Sequence, residues 1–387
     1  GESINDENAP TILVYGHYDV QPPEPFELWE SDPFQPEIRD GKIFGRGTSD
    51  NKSQLFAHIK GFEAYLRTQG KVPINMKYIF EGEEEIGSPN LEVFADGHKD
   101  LLKSDAAIFS DSHVHESGKP MTILGLKGMT YVEITLYGAN RDVHSMKAPT
   151  VPNPVWRMIE LLSTLKGEDG LVKIDGFYDD VRPLLDLEIE AVKKIPLDKE
   201  AIMKDLGITK LVQNRTGDHY YYNLIFEPTC NIAGIFGGFT GEGSKTIIPN
   251  KVTVKIDMRL VPDQDPNDIY EKFKKHLIKH GYGDAEVKHH GMITPSRTPI
   301  DNPYVAVANE AITDAWGEEP LVFPGIGGAG PNYVFTRNLG IPCIVVPFAS
   351  SDQNNHAPNE NMSVSGFMNG IKTAASIIDK VSKMRRK

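Results

Sequence analysis

Cysteine is nearly absent: Cys230 and Cys343 are the only two in 387 residues. So few exclude a disulfide framework and favour a reducing, cytoplasmic setting. Cys343 lies in the apolar run Ile341-Pro342-Cys343-Ile344-Val345-Val346 and reads as a small core residue. Long hydrophobic runs are missing too. The longest, 341–348, holds two prolines and is far too short to cross a bilayer, and no signal-peptide pattern opens the chain. Positive charge is in deficit. Lys and Arg number 41 against 54 Asp and Glu, a formal net charge of −13. That balance argues against a nucleic-acid partner, because phosphate binding needs clustered cations. The one basic cluster, 383–387, reads as a solvated helix end. No internal repeat or low-complexity linker is visible.

What is present fits a packed protein. Hydrophobic residues make up 39% and charged residues 25%, a globular rather than a disordered balance, and the length suits two domains or a little more. Segments 11–15, 74–80 and 106–109 read as strands, and 53–68 and 88–97 as helices between them. In 53–68 the apolar spacing puts Leu55, Phe56, Ile59, Phe62 and Leu66 on one face. This alternation predicts an α/β fold with a doubly wound, mostly parallel sheet. The rhythm then changes. Segments 129–137 and 251–260 alternate like half-exposed strands, 286–290 is a further strand, and 154–165, 179–206 and 265–280 read as helix, with Pro266 suited to a first turn. Residues 234–244 are glycine-rich and read as a loop. A helix at 305–316, a strand at 341–346 and a closing helix at 364–384 restore the first pattern. We therefore expect a discontinuous catalytic domain, 1–125 and 299–387, interrupted by an inserted α+β domain, 126–298.

Five polar segments carry the chemistry, most of them beside strand-like runs whose ends would share one rim of the sheet, where such folds collect ligands. Gly16-His17-Tyr18-Asp19-Val20 sets His and Asp at i and i+2, so in an extended segment Asp19 can orient the imidazole of His17. Alone, it reads equally well as a loop histidine with a local hydrogen bond. Asp50, in Gly47-Thr48-Ser49-Asp50-Asn51-Lys52, reads alone as a helix cap. Glu81-Gly82-Glu83-Glu84-Glu85-Ile86-Gly87 crowds four carboxylates into five residues, which nearby cations would relieve. In an extended segment Glu85 can bind metal while Glu84 faces the other way as a general base. Asp111 follows a strand, and His113 and His115 just after it are expected at the surface. His356 lies in a polar loop beyond the last strand. Taken together, His17, Asp50, Glu84, Glu85, Asp111 and His356 suit two divalent ions about 3.5–4 Å apart sharing one carboxylate, and hence amide hydrolysis. Imidazole with carboxylate suits Zn²⁺ best, with Mn²⁺ or Co²⁺ as alternatives.

In this order the segments resemble the aminoacylase and carnosinase family of di-metal exopeptidases, nearest to the cytosolic non-specific dipeptidase branch. The pieces that carry the resemblance are Gly16-His17-Tyr18-Asp19-Val20-Gln21-Pro22, Gly45-Arg46-Gly47-Thr48-Ser49-Asp50-Asn51-Lys52, Glu84-Glu85-Ile86-Gly87-Ser88 and His356-Ala357-Pro358-Asn359-Glu360. Tyr18 with Gln21-Pro22, and the long stretch 170–231, favour the dipeptidase branch. The resemblance implies that Asp50 bridges the metals across a cis Asp50–Asn51 bond, with His17 and Asp111 completing one site and Glu85 and His356 the other. It implies that Glu84 activates the bridging water, that Asp19 orients His17, and that His144 reaches the partner subunit's site in an obligate homodimer. It also implies that Arg259, helped by Thr246 and the backbone of Gly327-Gly328-Ala329-Gly330, holds the free carboxylate of a small peptide.

Three departures stand out. Ser145-Met146 replaces the usual Ser-Gly after His144, Ala329 replaces a frequent Ser, and about fifteen residues precede the first metal-binding strand where the family has a helical segment. A fragment, a processed form or a shortened variant would each explain the last, and part of the sheet is expected to lie uncovered. The leading expectation is a metal-dependent dipeptidase whose activity falls in acid as its ligands protonate. An N-acyl amino acid deacylase or desuccinylase on the same machinery is the alternative, and an inactive metal-binding homologue the third reading.

Overall fold

The structure is a computed structural model that describes residues 1–4, 6, 8–212 and 219–384. The last part of the basic cluster, 385–387, and residues 213–218 of the long stretch lie outside the described residues. The chain opens on β1 (Glu2–Ser3) and β2 (Thr11–His17), then passes through α1 (Lys52–Gln69) to β3 (Asn75–Glu81) and through α2 (Leu91–Gly97) to β4 (Ala106–Phe109) and β5 (Met121–Ile123). Next come β6 (Gly128–Tyr137), α3 (Pro154–Leu165), α4 (Asp186–Lys193), α5 (Lys199–Asp205), α6 (Tyr220–Phe226), β7 (Asn231–Gly237), β8 (Lys251–Leu260), α7 (Pro266–Lys279) and β9 (Glu286–Ile293). The chain returns through α8 (Pro303–Trp316), β10 (Leu321–Phe323), β11 (Cys343–Val345) and α9 (Val364–Ser382).

Two sheets organise these elements. The first has the order β1-β3-β2-β4-β11-β5-β10 and is mostly parallel. Its central strands are apolar almost without interruption, as strands covered on both faces must be. Ile12 and Val14 pack toward α1, α8 and α9, while Leu13 and Tyr15 pack toward α2, α4 and α6. This is the doubly wound α/β arrangement. The second sheet is antiparallel, order β7-β8-β6-β9. Alternate residues of β6 and β8, among them Ile134, Leu136, Val254 and Ile256, are buried against Met158 and Leu161 of α3 and Ile269 and Phe273 of α7. The alternation legible in 129–137 and 251–260 is that one-sided burial.

Several elements differ from their sequence reading. The predicted helix 179–206 is split into α4 and α5, because Pro183 and Pro196 each remove a backbone donor. The predicted loop 234–244 begins as β7, an edge strand hydrogen-bonded to β8 despite its glycines. The predicted apolar face of α1 is not its buried one. Leu66 and Phe56 are exposed, whereas Gln54, Ala57, His58 and Gly61 are buried. Small residues let α9 approach closely there, and the two polar side chains find hydrogen-bond partners in the interior. Along β3, Tyr78, Phe80, Leu91, Phe94 and Leu101 line an open groove of about 840 Å³ beside Gly1 and Glu2.

Gly61 makes the α1–α9 contact testable. An added Cβ would stand 2.5 Å from the Ala374 methyl and 2.8 Å from the Ile371 carbonyl. In an exposed helix Gly→Ala stabilises by roughly 0.5–1 kcal/mol. Here Gly61→Ala is expected to destabilise by about 1–3 kcal/mol through overpacking, measured by urea unfolding. A variant as stable as the parent would contradict so close a crossing.

Candidate metal centre

The acidic and histidyl segments meet at the carboxyl ends of β2, β3 and β4, the rim their spacing predicts. His17 is the last residue of β2 rather than a loop residue, and it is fully buried. Its Nε2 lies 3.0 Å from Asp50 Oδ1 and 3.6 Å from Asp111 Oδ2. Its Nδ1 faces Asp19, 3.3 Å from the carboxylate and 3.2 Å from the backbone carbonyl, a contact able to orient the ring. On the far side, Asp50 Oδ2 lies 3.0 Å from His356 Nε2, which is 3.2 Å from Glu85 Oε2. Asp50 therefore turns one oxygen to each imidazole, with Asp111 flanking one pair and Glu85 the other.

Asp50 is not a helix cap. Asn51 takes the position before α1, the Asp50–Asn51 bond is cis, and the Asp50 carboxylate points away from the helix. Glu84 and Glu85 lie in a single 3₁₀ turn, Glu84–Ile86, rather than an extended segment. The turn still separates their tasks. Glu85 accepts from Gln21 Nε2 at 2.9 Å and its backbone donates to Asp19 at 3.0 Å. Glu84 instead lines a cavity with Asp111, Gly328 and Ala329. His113 is half-buried in that wall. His115 is buried, 3.0 Å from the Tyr221 hydroxyl, so neither is the surface residue the sequence suggested.

The electrostatics are those of a site short of positive charge. Burial disfavours the His17 cation, yet hydrogen bonds to Asp111 and Asp50 outweigh it and push its pKa up to about 11. Burial also opposes the Asp50 anion, but hydrogen bonds to His17 and His356 hold it well below the usual carboxylate range. Glu84 has no such partner. Burial, then the charge of Asp111, lift its pKa to about 8. Burial raises Asp111 and Glu85 as well. His17 Nε2 and Glu85 Oε1 are buried without a well-directed hydrogen bond. His17, Asp50 and Glu85 each offer a ligand atom within 4.8 Å of the others. Two imidazoles, a shared carboxylate and unsatisfied buried ligand atoms fit divalent cations.

The remaining expected site residues lie elsewhere. His144 is exposed on a short strand, with Thr246 Oγ1 3.4 Å from its Nε2. Arg259, on β8, is half-buried against Asp257 at 3.2 Å. Among the described residues, no hydrogen bond or ion pair ties His144, Thr246 or Arg259 to the acidic cluster.

Residues 13–380 match peptidase family M20/M25/M40. The chain belongs to this family. It is 32% identical to the Cys-Gly metallodipeptidase DUG1 of Candida albicans, over 96% of this chain and 79% of that protein. It is 29% identical to the human Beta-Ala-His dipeptidase, over 96% and 75%. Among solved structures, the M20 family metallo-carboxypeptidase Sso-CP2 from Sulfolobus solfataricus is similar at 37% identity and a TM-score of 0.91, over 99% of this chain and 88% of that one. The di-peptidase Dug1p from Saccharomyces cerevisiae is similar at 27% and 0.80, over 100% and 82%.

Sequence reasoning gave no role to the group that holds this M20 site in shape. Glu360 is fully buried and accepts from the backbone of Gly47, Ser49 and Asp50, from Ser49 Oγ, and from Arg46 Nη1, all at 2.8–2.9 Å. It joins the turn of Asp50 to the loop of His356. A Glu four residues past a candidate ligand, facing a turn rich in backbone donors, is the signal that marks it.

Metal binding is expected to release protons. With its pKa near 11, His17 is protonated at pH 7 in the metal-free protein, and only the neutral imidazole binds metal. Calorimetric titration with Zn²⁺ or Mn²⁺ in buffers of different ionisation enthalpy is expected to show about one proton or more released, and affinity that weakens as pH falls. Binding heats independent of the buffer would contradict this assignment of His17.

Proposed function

We propose that this M20 chain is a metal-dependent dipeptidase that hydrolyses small peptides with a free C-terminal carboxylate. The reading rests on one observation: Asp50 stands between His17 and His356, an oxygen toward each, with Glu84 beside them and uncommitted to any partner. Two divalent ions would be held by His17, Asp50 and Asp111 on one side and Asp50, Glu85 and His356 on the other. Zn²⁺ suits these ligands best, with Mn²⁺ or Co²⁺ as alternatives. When bound, such ions acidify a water and polarise the scissile carbonyl. Glu84 takes the proton of the attacking water and returns it to the leaving amine. Its raised pKa, near 8, suits a group that must both accept and give a proton near neutrality. Asp19 keeps His17 in the tautomer whose Nε2 faces Asp50. The backbone of Gly328 and Ala329 and the guanidinium of Arg259 receive the substrate carboxylate.

The catalytic unit is 1–125 with 299–387, and 126–298 supplies the lid and a dimerisation surface. What supports a homodimer is β7. This edge strand is exposed along nearly its whole length, with Ile232, Ile235 and Phe236 between 46% and 57% accessible, a surface that monomers avoid. His144 and Thr246, together on the lid, then complete the neighbouring subunit's site, His144 stabilising the oxyanion. Two unpaired cysteines agree with a cytoplasmic setting. No described helix is long and apolar enough to cross a membrane. A second reading, removal of C-terminal residues from longer peptides, is favoured by the 37% identity to a metallo-carboxypeptidase. It uses the same residues and differs only in how much chain the site admits beyond the scissile bond.

The test is a panel of dipeptides, tripeptides and N-acyl amino acids with Zn²⁺ or Mn²⁺. Dipeptides are expected to show the highest kcat/KM. Preference for tripeptides would favour the carboxypeptidase, and preference for acyl substrates would overturn both. Glu84→Gln is expected to retain its metals while kcat falls by about 10²–10⁴-fold.

The shared site has its own experiment. His144→Ala and Glu84→Gln proteins are each expected to be nearly inactive. Mixed under conditions that exchange subunits, they form heterodimers with one intact site each, so about a quarter of wild-type activity should return. No recovery despite proven exchange would refute sharing.

A further inference from the structure

The cavity lined by Glu84 and Asp111 has a volume of about 390 Å³. Strand register explains its floor. Phe109 on β4 pairs with Val345 on β11, and Val345 pairs with Ile123 on β5. The three side chains form one apolar row across three neighbouring strands, and Asp111, two residues beyond the end of β4, lines the same cavity. Leu126 and Ile326, both half-buried, add to the apolar wall. The backbone of Gly328, Ala329 and Gly330 lines the same space. No Lys or Arg is among its lining residues, and the carboxylates there are those of Glu84 and Asp111.

We infer that this cavity receives the side chain of the leaving, C-terminal residue, and that Phe109, Ile123, Leu126, Ile326 and Val345 select for a large apolar one. The inference rests on the dipeptidase reading. In that reading Glu84 gives a proton to the leaving amine, and the 328–330 backbone helps hold the carboxylate. An α-amino acid carries both groups on one carbon, so its side chain is confined to the space these two features share. Glycine leaves that space unfilled. An acidic side chain meets Glu84 and Asp111 with no Lys or Arg among the lining residues. A basic side chain has as counter-charges only Glu84 and Asp111, which the dipeptidase reading commits to the water and the metals, and its stem lies on the Phe109–Val345–Ile123 row.

The experiment compares kcat/KM for Ala-Gly, Ala-Ala, Ala-Leu, Ala-Phe, Ala-Asp and Ala-Lys with the metal-loaded enzyme. One methylene in an apolar pocket is worth about 10-fold or more. Ala-Leu and Ala-Phe are therefore expected to exceed Ala-Gly by at least about 10-fold, with Ala-Asp and Ala-Lys below both. Ile326→Phe, which fills the cavity, is expected to lower the ratio of Ala-Phe to Ala-Gly by about 10-fold whatever its absolute rate. The ratio separates a pocket effect from partial misfolding. If dipeptides are hydrolysed but the ranking is flat, or Gly or charged residues lead, the cavity assignment is overturned and the dipeptidase reading stands. If only N-acyl amino acids are hydrolysed, the dipeptidase reading fails, and the same ranking on their leaving residues decides the cavity. If no amide is cleaved, both fail.

Discussion

The shared carboxylate of Asp50 is the contact on which the site depends. It joins His17, from the start of the chain, to His356, from near its end, at 3.0 Å each. The turn before α1 is fixed from outside, by the buried Glu360 carboxylate, which gathers three backbone N–H groups, a hydroxyl and the Arg46 guanidinium. A buried pair such as Arg46–Glu360 adds little net stability, but removing either partner strands a charge at a cost of about 3–5 kcal/mol. Its contribution is geometric: one buried carboxylate ties the turn of Asp50 to the loop of His356.

Around that contact the protein keeps negative charge where water is scarce. Asp50, Asp111, Glu84 and Glu85 converge with only two imidazoles among them. In the metal-free protein the protonated His17 serves as a substitute cation, and Glu84 is left to carry the strain of burial as a raised pKa. Bound cations would remove both costs. The same crowding that raises the Glu84 pKa toward neutrality is what divalent cations would relieve.

The reading of the site from sequence was most informative where neighbours in sequence are neighbours in space. His17 with Asp19, and Glu84 with Glu85, are local pairs, and their short spacing was informative even though the second adopts a 3₁₀ turn. It was less informative where the work is done at long range. The face of α1 was misjudged because Gly61 and Ala57 count for little in a hydrophobic pattern, yet they are what α9 packs on. The strand β7 was taken for a loop because its pairing with β8, not its own propensity, makes it a strand.

The sequence alone determined the class of the fold, through the alternation of apolar runs and helices, and which side chains could bind a cation, because that depends on side-chain composition. It determined the one-sided burial of 129–137 and 251–260, since a strand's period of two is written in consecutive residues. The tertiary structure alone decided which oxygen of Asp50 faces which imidazole, that Glu360 ties those two ligand loops together, and that Phe109, Val345 and Ile123 line one floor. These are relations between segments far apart in the chain. They are set by strand order and helix packing, which no local pattern of residues records.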